Sequence, residues 1–222
     1  MLKVYKYRLY PNKEQREFIN KTIGCARFIY NKMLGDKIEH YKETKKMLKN
    51  TPSQYKKEYE WLKEVDSLAL ANAQMNLDKA YKNFFRDTKA GFPKFKSKKK
   101  SSNSYTTNNQ KGTVYIENGY IKVPKLKTKI RIKQHRNFVG EIKSCTISKT
   151  KTNKYYISIL VDIDIKPLPK RDNKVGIDLG LKEFAICSDG YRVPNPKFLR
   201  RTEKCIKFLQ RSLSRKQKGS SN

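Results

Sequence analysis

Part-way along this chain the spacing of the apolar residues changes from a helical period of about 3.6 to a strand period of 2, and that change constrains the fold most. Phe18, Thr22, Cys25, Ile29 and Met33, with Ile19, Ile23, Ala26 and Tyr30 beside them, follow helical spacing, and Asn12 stands ready to cap them. Helical character continues to about Trp61 with a break near Asn50-Thr51-Pro52. Ser67 then opens a second run, Leu70, Ala73, Leu77, Ala80, Tyr81 and Phe84, which Gly91 and Pro93 stop. From Val114 the period is two: residues 114–116, 120–123, 130–132, 142–147 and 155–165 read as strands. Asn118-Gly119 marks a hairpin and Lys151–Asn153 another turn. Residues 2–10 also alternate and end at Pro11. The economical reading is a small antiparallel barrel, whose first strand pairs with the rest across the inserted helices. The Ser/Asn/Thr-rich stretch before Gly112 reads as poor core material and as a mobile loop.

Lys166-Pro167-Leu168-Pro169-Lys170-Arg171-Asp172 has a linker's composition, and a third unit follows it. That unit holds Val175–Leu179, an apolar strand at Phe184–Cys187, a turn at Asp189-Gly190, and a basic helix from about Pro196 with Phe198, Cys205, Phe208, Leu209 and Leu213 as apolar positions. Two strands and a helix do not close a layer, so the third unit is expected to be cut short. The divisions expected are therefore 1–11 with 92–168 for the barrel, 12–91 for the helical region, and 169–222 for an incomplete α/β unit. The fold class is α+β with several units.

Charge narrows the function. The chain carries 52 Lys and Arg against 20 Asp and Glu, a formal +32, spread along its whole length and interleaved with fourteen tyrosines. A compact chain so charged repels itself unless a polyanion neutralises it. No apolar run reaches the roughly 18 residues of a spanning helix, and a cytoplasmic location is expected. Cys25, Cys145, Cys187 and Cys205 are irregularly spaced without a paired-cysteine motif, so neither a zinc site nor a disulfide framework is expected.

Asp178 is the candidate catalytic and metal-binding residue. It follows a short apolar strand within Gly176-Ile177-Asp178-Leu179-Gly180, where a carboxylate can project from the sheet and flanking glycines leave room for metal, water and phosphate. This resembles the place of the first metal-binding Asp in RNase H-like nucleases, and magnesium prefers such oxygen ligands. A purely structural role, ending the strand and capping its turn, stays open. The same string opens the phosphate loop of actin-like ATPases, but small hydroxyl residues usually follow there, whereas Leu181-Lys182-Glu183 follow here. Asp162, Asp164, Glu183 and Asp189 are not convincing partners.

The candidate nucleic-acid contacts fall in three groups. Lys94, Lys96, Lys98, Lys99 and Lys100 form a run followed by Tyr105; Arg131, Lys133, His135 and Arg136 crowd one strand and turn; Arg200, Arg201, Lys204, Arg211, Arg215 and Lys216 populate the last helix. Cations neutralise phosphates and aromatics stack on bases. A solvated loop is the alternative for the lysine run.

Five ordered blocks resemble the TnpB (OrfB) proteins of insertion sequences, relatives of type V CRISPR effectors. They are Tyr7-x-Leu9-Tyr10-Pro11-Asn12-Lys13-Glu14-Gln15, Cys25–Asn31, Gly91–Lys96, Val175–Lys182 and Leu213–Ser220. The resemblance implies a wedge barrel interrupted by a helical recognition region and followed by a RuvC nuclease domain with Asp178 as its first carboxylate. It implies magnesium, a guide RNA from the transposon end, and target DNA opened beside a short adjacent motif and read by base pairing. The family's later carboxylates and zinc module find no counterpart here, so a chain unable to cleave alone is expected. A non-catalytic RNA- or DNA-binding module or repressor is the alternative, and a ribosomal-type RNA-binding protein a weaker one.

Overall fold

A computed structural model describes residues 1–87, 89–99, 101–164, 169, 172–217 and 219, with Arg201 described in its backbone only. Lys100 and most of the expected linker lie outside the described residues, as do Ile165, Lys218 and Ser220. The chain divides into two compact units, Met1–Lys166 and Pro167–Asn222.

The first unit opens with strand β1 (Leu2–Tyr10) and the 32-residue helix α1 (Lys13–Thr44). Asn12 caps α1 reciprocally: its Oδ1 accepts the Gln15 N–H at 2.9 Å and its own N–H donates to Gln15 Oε1 at 3.0 Å. Lys45, in the left-handed region, ends it. Pro52 begins α2 (Pro52–Glu58), as proline's fixed φ favours, and a 3-10 turn (Glu60–Lys63) follows. Helix α3 (Ser67–Arg86) is capped one residue earlier than expected, by Asp66, and stops at Asp87 rather than Gly91. The reason is chemical: the Asp66 carboxylate accepts from Leu68 N–H at 3.1 Å and also from the Thr107 hydroxyl, whereas Ser67 bonds Lys56 Nζ at 2.7 Å.

Strands β2 (Asn103–Asn108), β3 (Tyr115–Glu117), β4 (Tyr120–Lys122), β5 (Ile130–Lys133), β6 (Glu141–Lys149) and β7 (Tyr155–Asp162) join β1 in an antiparallel sheet of order β2-β6-β7-β1-β5-β4-β3. Strand β1 pairs with β7 over Leu2–Leu9 and with β5 over Arg8–Tyr10, across the helices inserted between them. Asn118 and Gly119 both take positive φ, 48° and 76°, which the β3–β4 hairpin turn requires. The strands form one antiparallel sheet, as expected, with β2 and β3 at the ends of its hydrogen-bonded order. The expected mobile loop at Asn103–Asn108 is instead a strand, because Tyr105 and Thr107 alternate inward. Helices and sheet share one core, with Leu9, Ile19, Ile29, Met33, Leu70 and Leu77 fully buried in it along with Ile121, Ile130, Ile147 and Ile157. Burial pushes the Cys25 thiol up to about 11 and the Cys145 thiol to about 12, so both are packing residues and poor nucleophiles at neutral pH.

The second unit contains β8 (Ile177–Leu179), β9 (Glu183–Cys187), β10 (Arg192–Pro194) and helix α4 (Phe198–Ser214), its antiparallel strands ordered β10-β9-β8. Its third strand, β10, was not expected from the sequence; the Asp189-Gly190 turn returns the chain along β9. Among its described residues only Ala185 is a buried apolar side chain, while Leu179, Phe198, Phe208 and Leu213 are exposed. No helix among the described residues is long and apolar enough to cross a membrane.

Candidate nucleic-acid interface

One face of the large sheet gathers cations and rings. In β1 the odd residues Tyr7 and Leu9 point into the core, so Lys6, Arg8 and Tyr10 stand on the outer face. Register places Lys133 directly opposite Arg8 and Arg131 opposite Tyr10 on one side, and Tyr156 opposite Arg8 on the other. The Arg8 guanidinium lies 5.1 Å from the Tyr156 ring centroid and 5.7 Å from that of Tyr10, and its Nη1 donates to the Tyr156 hydroxyl at 3.2 Å. Lys6 Nζ approaches the same Tyr156 ring at 5.1 Å. Arg8 Nε is buried and meets no hydrogen-bond acceptor among the described residues. Two cations directly opposite across a strand pair are destabilising in isolation, so Arg8 and Lys133 mark a face that an anion would complete. Of the expected residues, Arg131 and Lys133 are on this face; Arg136 is exposed on the following turn, where its carbonyl accepts the Tyr7 hydroxyl at 2.7 Å. Lys6, Arg8, Tyr10 and Tyr156 were missed, although the β1 alternation already set Lys6 and Arg8 apart from Tyr7 and Leu9.

A second feature is a polar cleft of about 330 Å3 between α1, α3 and β2, lined by Arg27, Asn72, Asn76, Lys96, Ser104 and Thr106 among others. Asn31 positions its lysine: Asn31 Oδ1 accepts the Lys96 N–H at 2.8 Å and Asn31 Nδ2 donates to the Lys96 carbonyl at 2.9 Å. Lys96 Nζ then sits 3.9 Å from the Tyr30 ring centroid, where burial lowers its pKa from the ordinary lysine value. Lys98 lines a neighbouring hollow with Arg27 and Lys149. Lys94 and Lys99 are exposed, and Lys100 lies outside the described residues. Tyr105 corrects the expectation of a stacking residue. It is buried in the core, with its pKa raised by desolvation, because β2 turns it inward.

In the second unit Asp178 is exposed on the edge strand β8. Register puts it in one cross-strand row with Ile186 and Arg192, while Glu183 lies beyond a bulge that breaks the alternation of β9 and pairs it with Pro194. Asp189 is occupied by its own turn, accepting the Tyr191 N–H at 3.0 Å. Gly180 lies close to β9, where a Cβ would meet the Glu183 carbonyl at 3.1 Å. Among the described residues no group of three or more His, Cys, Asp and Glu is placed to hold a metal ion. Asp178 alone therefore does not fit a two-cation centre. On α4, Arg200, Lys204 and Arg211 follow helical spacing and are exposed; Arg215, also exposed, is its C-cap, Lys216 lies just beyond, and the Arg201 side chain is outside the described residues.

Comparison with known proteins bears on this arrangement. Residues 1–46 match a helix-turn-helix domain of the OrfB IS605 type, and residues 149–222 match the OrfB IS605 family described as "Probable transposase". A Streptomyces pristinaespiralis protein named "Putative RNA-guided DNA endonuclease" is 32% identical over 99% of this chain and 56% of its own length. The chain belongs to the TnpB/OrfB family. A second relative, "Putative RNA-guided DNA endonuclease InsQ" of Escherichia coli K12, is 31% identical over the whole of this chain and 56% of its own. The chain thus spans about half the length of these TnpB/OrfB relatives. A solved structure titled "Cryo-EM structure of CRISPR-Cas12f Ternary Complex" aligns with 95% of this chain and 54% of that one at 12% identity and a TM-score of 0.47. In this TnpB/OrfB chain the matched helix-turn-helix segment is a strand and one unbroken helix, up to the left-handed Lys45.

Proposed function

We propose that this chain supplies the guide-RNA- and target-DNA-binding surfaces of an insertion-sequence RNA-guided DNA endonuclease, and Asp178 as one ligand of its magnesium-dependent cutting centre. The observation that carries the reading is the outer sheet face, where Arg8 and Lys133 stand opposed and tyrosines interleave with further cations. Such a face neutralises phosphates and offers rings to bases. The names of the two curated relatives agree with it. The guide comes from the transposon end, and its pairing with the opened DNA supplies sequence specificity.

The wedge-like role falls to the seven-stranded sheet, the recognition role to the helices between β1 and β2, and the RuvC role to the second unit. Three antiparallel strands followed by a helix support an RNase H-like beginning. Further metal ligands are taken from the part of the relatives with which this chain does not align, since among the described residues no group of three or more His, Cys, Asp and Glu is placed to hold a metal ion. Magnesium, once held by a full ligand set, would stabilise the charge that develops on the phosphate.

The test compares three proteins for guide RNA binding and for guided, magnesium-dependent plasmid cleavage. They are this chain, this chain joined to the part of a curated relative with which it does not align, and the joined protein carrying Asp178→Asn. All three are expected to bind the guide, and only the second to cut. Cutting by the chain alone overturns the ligand argument, and full cutting by the Asp178→Asn protein overturns the assignment of Asp178.

A further inference from the structure

At the end of α3 the chain displays aromatic rings side by side. Phe84 and Phe85 lie with centroids 5.2 Å apart, Phe92 meets Phe84 edge-on at 5.4 Å and Tyr81 at 5.7 Å, and Tyr81 lies nearly parallel to Phe85 at 6.3 Å. Tyr81 is buried and anchors the group, but Phe85 is 70% exposed and Phe92 45%. The arrangement is built by the turn after α3. Asp87 accepts the Lys89 N–H on its carboxylate and the Ala90 N–H on its carbonyl, each at 2.9 Å, and the chain returns to set Phe92 against the helix.

What surrounds the rings decides what covers them. From Lys79 to Lys99 the sequence has eight Lys or Arg residues and one acid, Asp87. Lys82 and Arg86, both exposed, are four apart on α3 and so form a stripe one position round the helix from Tyr81 and Phe85. A second copy of the chain would bring another +32 surface against this rim and be repelled. A polyanion with flat, weakly polar faces is attracted by both parts.

We propose that Phe85 and Phe92 form a stacking platform for an unpaired base of a single-stranded nucleic acid, with Lys82 and Arg86 holding the flanking phosphates. This rests on the nucleic-acid-binding reading above and adds a site to it. Stacking on a ring tolerates any base, because every base has a π-face, and releases no counterions.

The experiment measures binding of a labelled oligouridine to the full chain by fluorescence anisotropy across a salt series. It is run beside photocrosslinking with a 5-iodouridine strand and sedimentation of the free protein. Phe85→Leu keeps the apolar bulk and removes the ring; Phe85→Trp keeps a ring. The leucine variant is expected to bind about tenfold more weakly with an unchanged salt slope, the tryptophan variant to bind as well as the parent, and crosslinks to map to Phe85 or Phe92. Circular dichroism checks that both variants fold, as substitution of an exposed side chain allows. Equal binding by Phe85→Leu beside a parent that binds well overturns the platform alone, whereas a parent that binds no nucleic acid overturns the broader reading too. A change in self-association without a change in affinity makes the patch a protein interface and overturns the platform.

Discussion

Lys96 joins two opposed effects at one ammonium group. Its backbone is pinned by Asn31, and its head is carried over the Tyr30 ring, where lost hydration disfavours the charge and the ring's negative face favours it. Burial lowers its pKa from the ordinary lysine value. Between that lowered pKa and the ordinary lysine value the unfolded chain binds more protons than the folded one, so Lys96 makes stability rise with pH across that window. A phosphate laid against the ammonium would restore the charged form and abolish the rise. Lys96→Met should change the unfolding free energy by less than about 1 kcal/mol, since the two effects offset, and should remove this pH dependence. Nucleic-acid affinity should fall several-fold in the same variant. Thermal unfolding against pH and an anisotropy titration check it; a large loss of stability with unchanged affinity would make Lys96 a structural residue.

At the scale of elements, one acid ties the start of α3 to β2. Asp66 caps α3 through Leu68 N–H and accepts the buried Thr107 hydroxyl from β2. Asp66→Ala should therefore destabilise the first unit by about 2 kcal/mol, by losing a cap and leaving a buried hydroxyl unsatisfied, and Asp66→Asn should recover part of it. Urea unfolding of both variants is the measurement, and an unchanged midpoint for the alanine variant would remove the link. The same pair shows what the sequence discloses. Long helices with a strong period, the Asn12 cap, the Asn118-Gly119 hairpin and the pairing of β1 across the helices were all legible, because each rests on residues near one another or on a pattern many residues long. Strand β2 was not, because Ser, Asn and Thr have the composition of a loop, and only packing against α1, α3 and β6 makes Tyr105 and Thr107 core residues. The site was legible in part for the same reason. Arg131 and Lys133 declared themselves by charge, but their placement beside Arg8, Tyr10 and Tyr156 depends on strand register, which no local pattern gives.

Over the whole molecule, charge decides how these pieces act together. In the first unit the rows of cations occupy positions left over when the core has taken its share: the outer sheet face, the cleft around Lys96 and the segment after Gly91. That distribution favours a long, irregular polyanion over a compact ligand, and predicts binding that weakens steeply with salt. The lysine run offers the direct measure of it. Lys94, Lys98 and Lys99 are exposed, and flexible ammonium groups on a turn contact phosphates without reading bases. Neutralising Lys94, Lys96, Lys98, Lys99 and Lys100 together should weaken binding to unrelated single strands alike, and each lysine that contacts a phosphate should take about 0.7 from the slope of log affinity against log salt. A reduction of about 2 or more is expected from the exposed three alone. An unchanged slope would make the run a solvated loop and leave the outer sheet face to carry the binding, and titrating the same strands against Arg8→Gln and Lys133→Gln variants would then test that face.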